Sequence, residues 1–166
     1  MAEMEIVGVR VEMPSSSPIA LLREVGGAGR VLPIFIGAPE ATAIAFALEE
    51  VVTSRPMTHD LLQNLLDELG VSLEKVTVTA LHDGVFHAEL ELHAPDGIHT
   101  LSSRPSDAIA LAARTGSPIY AAEAVLDEAG YIEEDADEGD EPVQSEEVVE
   151  QFRDFIDSVN PEDFAT

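Results

Sequence analysis

The sequence predicts an α+β fold in which two β-meander-plus-helix units pack as one compact domain. Two patterns lead there. Alternating, β-rich segments are separated by short glycine- and proline-containing breaks, and the order of three strands followed by a proline-initiated helix occurs twice. A chain of 166 residues with 45% hydrophobic content is long enough for one core and a polar appendage.

Glu5 to Val11 alternates as a strand does, and the Met-Pro-Ser-Ser-Ser-Pro run from Met13 breaks it. Ile19 to Val25 and Val31 to Ile36 flank Gly26-Gly27-Ala28-Gly29, a cluster suited to the positive φ angles of a hairpin. Pro39 then opens a helix that runs to Val51, with Glu40 in its first turn. Thr58 is expected to cap a second helix with a leucine inner face, Leu61, Leu62, Leu65, Leu66 and Leu69, stopped by Gly70. Val76 to Leu81, Val85 to His93 and Gly97 to Leu101 form the second meander, around His82-Asp83-Gly84 and Ala94-Pro95-Asp96-Gly97 turns. Pro105 opens a helix to Thr115 that Gly116 terminates, and a short strand at Ile119 to Ala121 follows. The helices carry Ala43-Ile44-Ala45-Phe46-Ala47 and Ala108-Ile109-Ala110-Leu111-Ala112, which favours an internal duplication slightly over two alanine-rich helices that look alike because both are buried.

The expected organisation is a globular domain over 1–131, an acidic flexible linker over 132–145, an amphipathic helix over 146–159 and a tail over 160–166. The linker is too rich in Glu, Asp and Gly to bury a core, whereas Val148, Val149, Phe152, Phe155, Ile156 and Val159 form an apolar stripe that needs a partner surface. No apolar run approaches twenty residues, so no membrane helix is expected. The acidic start of the chain does not read as a signal peptide, and the absence of cysteine rules out a disulfide framework. A cytoplasmic protein is expected.

The net charge of −25 opposes broad nucleic-acid affinity, because such affinity comes from Lys and Arg displacing counterions. Residues Asp127 to Thr166 hold 16 acids and one base, leaving 17 acids and 7 bases, a charge of −10, on the preceding part. Activity on a polyanion would therefore need metal ions or a local arginine cluster.

Two helix starts gather the chemically capable groups: Ser54-Arg55-Pro56-Met57-Thr58-His59-Asp60 and Ser103-Arg104-Pro105-Ser106-Asp107. Free helix-start amides and a nearby guanidinium attract phosphate, which makes Arg55, Arg104, Ser106 and Thr58 candidate phosphate ligands. His59, Asp60 and Asp107 are candidate catalytic groups, with Asp60 and Asp107 also candidate ligands for Mg2+ or Mn2+. The plainer reading competes at each position: Thr58 and Asp60 as capping and first-turn residues, Asp107 as a helix-dipole complement, His59 as a buried histidine. Glu40 and Glu123 are further carboxylates that could join a metal site. His82, His87, His93 and His99 match no compact zinc spacing and read as sheet residues. No P-loop, nucleophile elbow, HExxH or GxGxxG pattern is present.

The blocks Leu32-Pro33-Ile34-Phe35-Ile36-Gly37, Arg55-Pro56-Met57-Thr58-His59-Asp60-Leu61 and Arg104-Pro105-Ser106-Asp107-Ala108-Ile109-Ala110-Leu111-Ala112, extended by Pro118-Ile119-Tyr120, resemble the bifunctional nuclease family over roughly residues 1–131. The resemblance implies a small oligomeric α+β domain assigned to RNA and DNA cleavage, and it carries over no settled catalytic residues. Two expectations result. One is a divalent-metal-assisted nuclease acting on nucleic acid. The other is a non-catalytic regulatory or scaffold module that binds a small anion or nucleotide and assembles through its C-terminal helix.

Overall fold

A computed structural model describes residues 1–12 and 15–133. The helix expected at 146–159, the tail and nearly all of the acidic linker lie outside the described residues. Strands β1 (Ala2–Glu12), β2 (Ser17–Glu24) and β3 (Val31–Phe35) form the first meander, followed by α1 (Ala38–Leu48) and α2 (Thr58–Glu68). Strands β4 (Ser72–His82), β5 (Val85–Ala94) and β6 (Gly97–Ser103) form the second, followed by α3 (Pro105–Thr115), β7 (Ile119–Ala121) and α4 (Glu123–Ala129).

All seven strands join one sheet in the order β3-β2-β1-β7-β4-β5-β6. Strand β7 runs antiparallel to β1 and parallel to β4, so the two meanders flank it in matching order. The fold is thus α+β, with the meander-plus-helix units read from the sequence. Local chemistry explains the turns: Asp83 at φ 51° and Gly84 at φ 77° supply the two positive-φ residues that a tight hairpin between twisted strands requires.

The core lies between the sheet and its helices. Ala41, Ala43 and Ala45 of α1 and Ala108, Ala110 and Ala112 of α3 are all buried. Their small side chains let both helices approach the sheet and each other closely, while Leu22, Leu32, Ile34, Ile44, Ile109 and Leu111 fill the remaining space. Each of these larger side chains contributes about 1.5–3 kcal/mol by leaving water.

Three expectations change. The N-cap of α2 is Met57 rather than Thr58, and the Asp60 carboxylate accepts the Met57 backbone N–H at 2.9 Å. The leucines of α2 do not share an inner face: Leu62 and Leu66 pack on the core, whereas Leu61, Leu65 and Leu69 are 60%, 52% and 61% exposed. Helix α4 was not expected at all. It has seven residues and no side-chain cap, and burial of Val125 and Leu126 rather than a local signal makes it helical. Among the described residues no helix is long and apolar enough to cross a membrane.

A charged staple fastens α4 to the first meander. Arg30 donates to Glu24 from Nε at 3.0 Å and Nη2 at 2.9 Å, and reaches Glu123 at 2.9 Å and Asp127 at 3.1 Å. The Arg30 hydrogen bond lowers the Glu24 pKa to about 2 from its ordinary 4.5. A depressed carboxylate contributes stability that is complete above its unfolded pKa and disappears as pH falls through its folded pKa. Thermal melts at successive pH values should therefore show a fall in Tm from about pH 4.5 towards about pH 2 that is smaller in Glu24→Gln, a variant with a lower Tm at neutral pH.

Candidate functional site

The two helix starts singled out in the sequence meet in space. His59, at the second position of α2, is buried, and its Nε2 lies 3.1 Å from Oδ1 of Asp107, at the third position of α3. Arg104 precedes α3 and grips the same carboxylate as a fork, Nε to Oδ2 at 2.7 Å and Nη2 to Oδ1 at 3.0 Å. Its Nη2 also donates to Glu40 Oε1 of α1 at 2.8 Å. A Cβ on Gly37 would overlap the Glu40 carboxylate, so the bare backbone at this N-cap is what lets Glu40 fold back towards Arg104.

Asp60 is engaged elsewhere. Its Oδ1 accepts from Nε of Arg114 while its Oδ2 takes the Met57 N–H. The Arg114 side chain is only 7% exposed and also donates to the Ala43 and Ala110 carbonyls at 2.9 and 2.8 Å. Asp60 therefore locks α2 to α3 and α1. Burial pushes the Asp60 and Asp107 carboxyls up, but hydrogen bonds outweigh it, from Arg114 and the Met57 N–H in the first case and from Arg104 and His59 in the second, and both end below the ordinary carboxylate range.

Arg55, in the loop before α2, and Thr58, the first residue of α2, are exposed, and Arg55 alone among the described Lys and Arg residues forms no ion pair with a described carboxylate. Ser106 is buried in the wall of a cleft of about 390 Å³, which Ser17, Phe35, Gly37, Phe86 and Arg104 also line. The cleft opens between the end of β3, the β4–β5 turn and the start of α3. Arg104 Nη1 makes no hydrogen bond to a described residue, so that edge of the guanidinium is available to a ligand. The ion-paired cluster sets two cations, Arg104 and Arg114, against three carboxylates, Glu40, Asp60 and Asp107, so it carries no excess of positive charge.

Sequence reading named every member of this cluster except Arg114, and weighed Glu40 only as a metal ligand. A basic residue in the last turn of a helix reads as a dipole complement, which hides a buried role. The other histidines stay apart: His82 and His87 rings lie 5.4 Å from each other, and His99 pairs with Asp96 at 2.8 Å. Among the described residues no group of three or more His, Asp and Glu side chains is gathered for a metal ion. Glu123 belongs to the Arg30 staple.

Asp60→Asn should cost on the order of 2 kcal/mol in urea unfolding, since it leaves the Arg114 guanidinium buried with only carbonyl partners. The figure lies below that for a fully buried pair because Asp60 keeps 34% of its side-chain surface in water.

Comparison with known proteins gives this arrangement a family. The bifunctional nuclease domain profile matches residues 20–134. An uncharacterised protein of Mycobacterium tuberculosis is 46% identical over 165 residues, covering 99% of this chain and 98% of its own length. Bifunctional nucleases 1 and 2 of Arabidopsis thaliana are 29% and 28% identical over 105 and 112 residues, 61% and 64% of this chain. The aligned region is about a third of each plant protein, 32% and 34% of their lengths. With most of its described fold inside the matched region, and the joined helix starts within it, the chain belongs to the bifunctional nuclease domain family.

Proposed function

We propose that this chain hydrolyses phosphodiester bonds of RNA and DNA in the cytoplasm, using the joined starts of α2 and α3. The observation that carries this reading is the contact of His59 with Asp107, a carboxylate held by Arg104 at the edge of the cleft. Family membership and the bifunctional nuclease names of the plant relatives point the same way.

In the proposed reaction the Nε2–H of His59 donates to Asp107, which leaves Nδ1 as the basic nitrogen. That nitrogen accepts a proton from the attacking water as the new P–O bond forms and the bond to the leaving oxygen breaks. The leaving oxygen departs and takes a proton from solvent. Asp107 and, through Arg104, Glu40 act by orientation. Arg55, Thr58, Ser106 and the open edge of Arg104 hold the phosphate oxygens.

Asp60 and Asp107 do not fit a shared Mg2+ or Mn2+ as they stand. The oxygens of Asp60 are taken by Arg114 and a backbone N–H, and those of Asp107 by Arg104 and His59.

The rival reading, a binding module for a small anion or nucleotide, is favoured by the lack of excess positive charge in the cluster on a chain of −25. Cleavage of labelled single-stranded RNA and DNA by purified protein, with Mg2+, Mn2+ or EDTA, separates the two. His59→Ala and Asp107→Asn should lower kcat by roughly 10²–10⁴-fold, while Arg55→Ala should act mainly on KM. Absence of cleavage by folded wild-type protein under every metal condition would overturn the hydrolase and leave the binding module, and unchanged cleavage in the folded His59 and Asp107 variants would move the chemistry away from these residues.

A further inference from the structure

Helix α1 ends in a way that stability alone does not favour. Glu49 caps it, and the next two residues close a Schellman turn, in which the Glu50 N–H donates to the Ala47 carbonyl at 3.3 Å and the Val51 N–H to the Phe46 carbonyl at 2.9 Å. Such a turn needs a left-handed residue, and glycine is its usual occupant. Helix α3 follows that rule with Gly116 at φ 70°, but α1 places Glu50 there at φ 53°. A side chain held in the left-handed region carries a standing conformational cost, and this one stands in the wall of a cavity.

The cavity, of about 430 Å³, lies where the end of α1 meets α2 and α3, and Phe46, Glu50, Val51, Asp60 and Arg114 line it. Volumes of roughly 300–1,000 Å³ hold small-molecule ligands. Arg114 gives it a directed donor. The side chain is 7% exposed, Nε and Nη1 are taken by Asp60 and by the Ala43 and Ala110 carbonyls, and Nη2 has no acceptor among the described residues. No buried side-chain nitrogen or oxygen among the described residues lacks a partner, so Nη2 is not sealed in the core and reaches solvent at the cavity that Arg114 lines.

Charge selects the ligand. An anion meets Glu50 and Asp60 beside a single guanidinium, a cation leaves Nη2 facing a positive charge, and a zwitterion sheds the hydration of two full charges. The match is a neutral group with a carbonyl oxygen next to N–H donors, on a body whose apolar faces can lie against Phe46 and Val51. Uracil and thymine flank their one N–H with a second carbonyl that would face the Glu50 carboxylate, and adenine offers that carboxylate one donor group only. Guanine has the complete edge. We infer that this cavity is a guanine-binding site, in which O6 accepts from Arg114 Nη2 while N1–H and N2–H donate to the Glu50 carboxylate. The base can belong to a free nucleoside or to a single strand, and the inference does not rest on the proposed hydrolysis.

The test titrates the full chain with guanosine and adenosine, and its His59→Ala variant with the single strands UUGUU and UUAUU, following the amide resonances of Glu50 and Val51. Guanine should bind in preference to adenine. Glu50→Gly removes the carboxylate together with the left-handed side chain, so it should melt no lower than the wild type yet weaken guanine binding roughly tenfold or more. Ala47→Leu fills the cavity from a half-buried helical position and should weaken it similarly. Binding of guanosine itself identifies the free nucleoside as sufficient, and binding of UUGUU alone identifies a strand as the source. Adenine bound as tightly as guanine, no binding in either arm at millimolar concentration, or an affinity unchanged in either folded variant would reject the site.

Discussion

Arg114 is the point on which the helical layer depends. A guanidinium buried to this degree must have its donors satisfied, and the donors reach into three helices: Asp60 of α2, the Ala43 carbonyl of α1 and the Ala110 carbonyl of α3. The alanine-rich faces let α1 and α3 approach, but they are uniform and specify no particular crossing. The planar fork of Arg114 does, because its geometry tolerates little displacement. With α2 fixed by Asp60, the neighbouring His59 is carried to Asp107, and the candidate site follows from the packing of the helices. Mutational work on this family of sites should separate the two roles, since Asp60 lies one residue from His59 and acts on a different partner.

Electrostatics around the cluster shows how an acidic chain can present cations. Most of the described Lys and Arg residues are committed to carboxylates, and Arg104 is committed on one edge only. The resulting surface offers directed donors without a broad positive field. Such a site favours short-range, geometrically selected contact with a phosphate over long-range capture of a polymer. Substrate affinity would therefore come from fit within the cleft, with Phe35 and Phe86 as apolar walls, more than from steering.

Much of the fold was legible because local chemistry dictated it. Asp83-Gly84 could form only a tight hairpin, Pro105 and Gly116 bounded α3, and β-branched alternation marked the long strands. Helix α4 was not legible, since its residues carry no cap and become helical only when Val125 and Leu126 find the core. The site divides in the same way. Arg55, Thr58, His59, Asp60, Arg104, Ser106 and Asp107 were visible as capable groups at helix starts. That His59 meets Asp107 while Asp60 turns to Arg114 depends on a one-residue step around α2, which places adjacent side chains about 100° apart. No spacing rule could assign those partners without the position of α3.

The placement of β7 has a kinetic consequence. Each meander is made of neighbours in sequence and can pair as soon as it is synthesised, but the two halves touch in the sheet only through a three-residue strand that arrives at Ile119–Ala121. Until that segment has emerged from the ribosome, β1 and β4 both present unpaired inner edges, and the first meander must wait for more than eighty residues beyond β3. Closure of the sheet is therefore a late, long-range event set by loop-closure entropy rather than by the strength of either hairpin. A nascent chain halted before Ile119 would carry two half-sheets with open edges, the state in which this otherwise acidic protein is most exposed to misassembly.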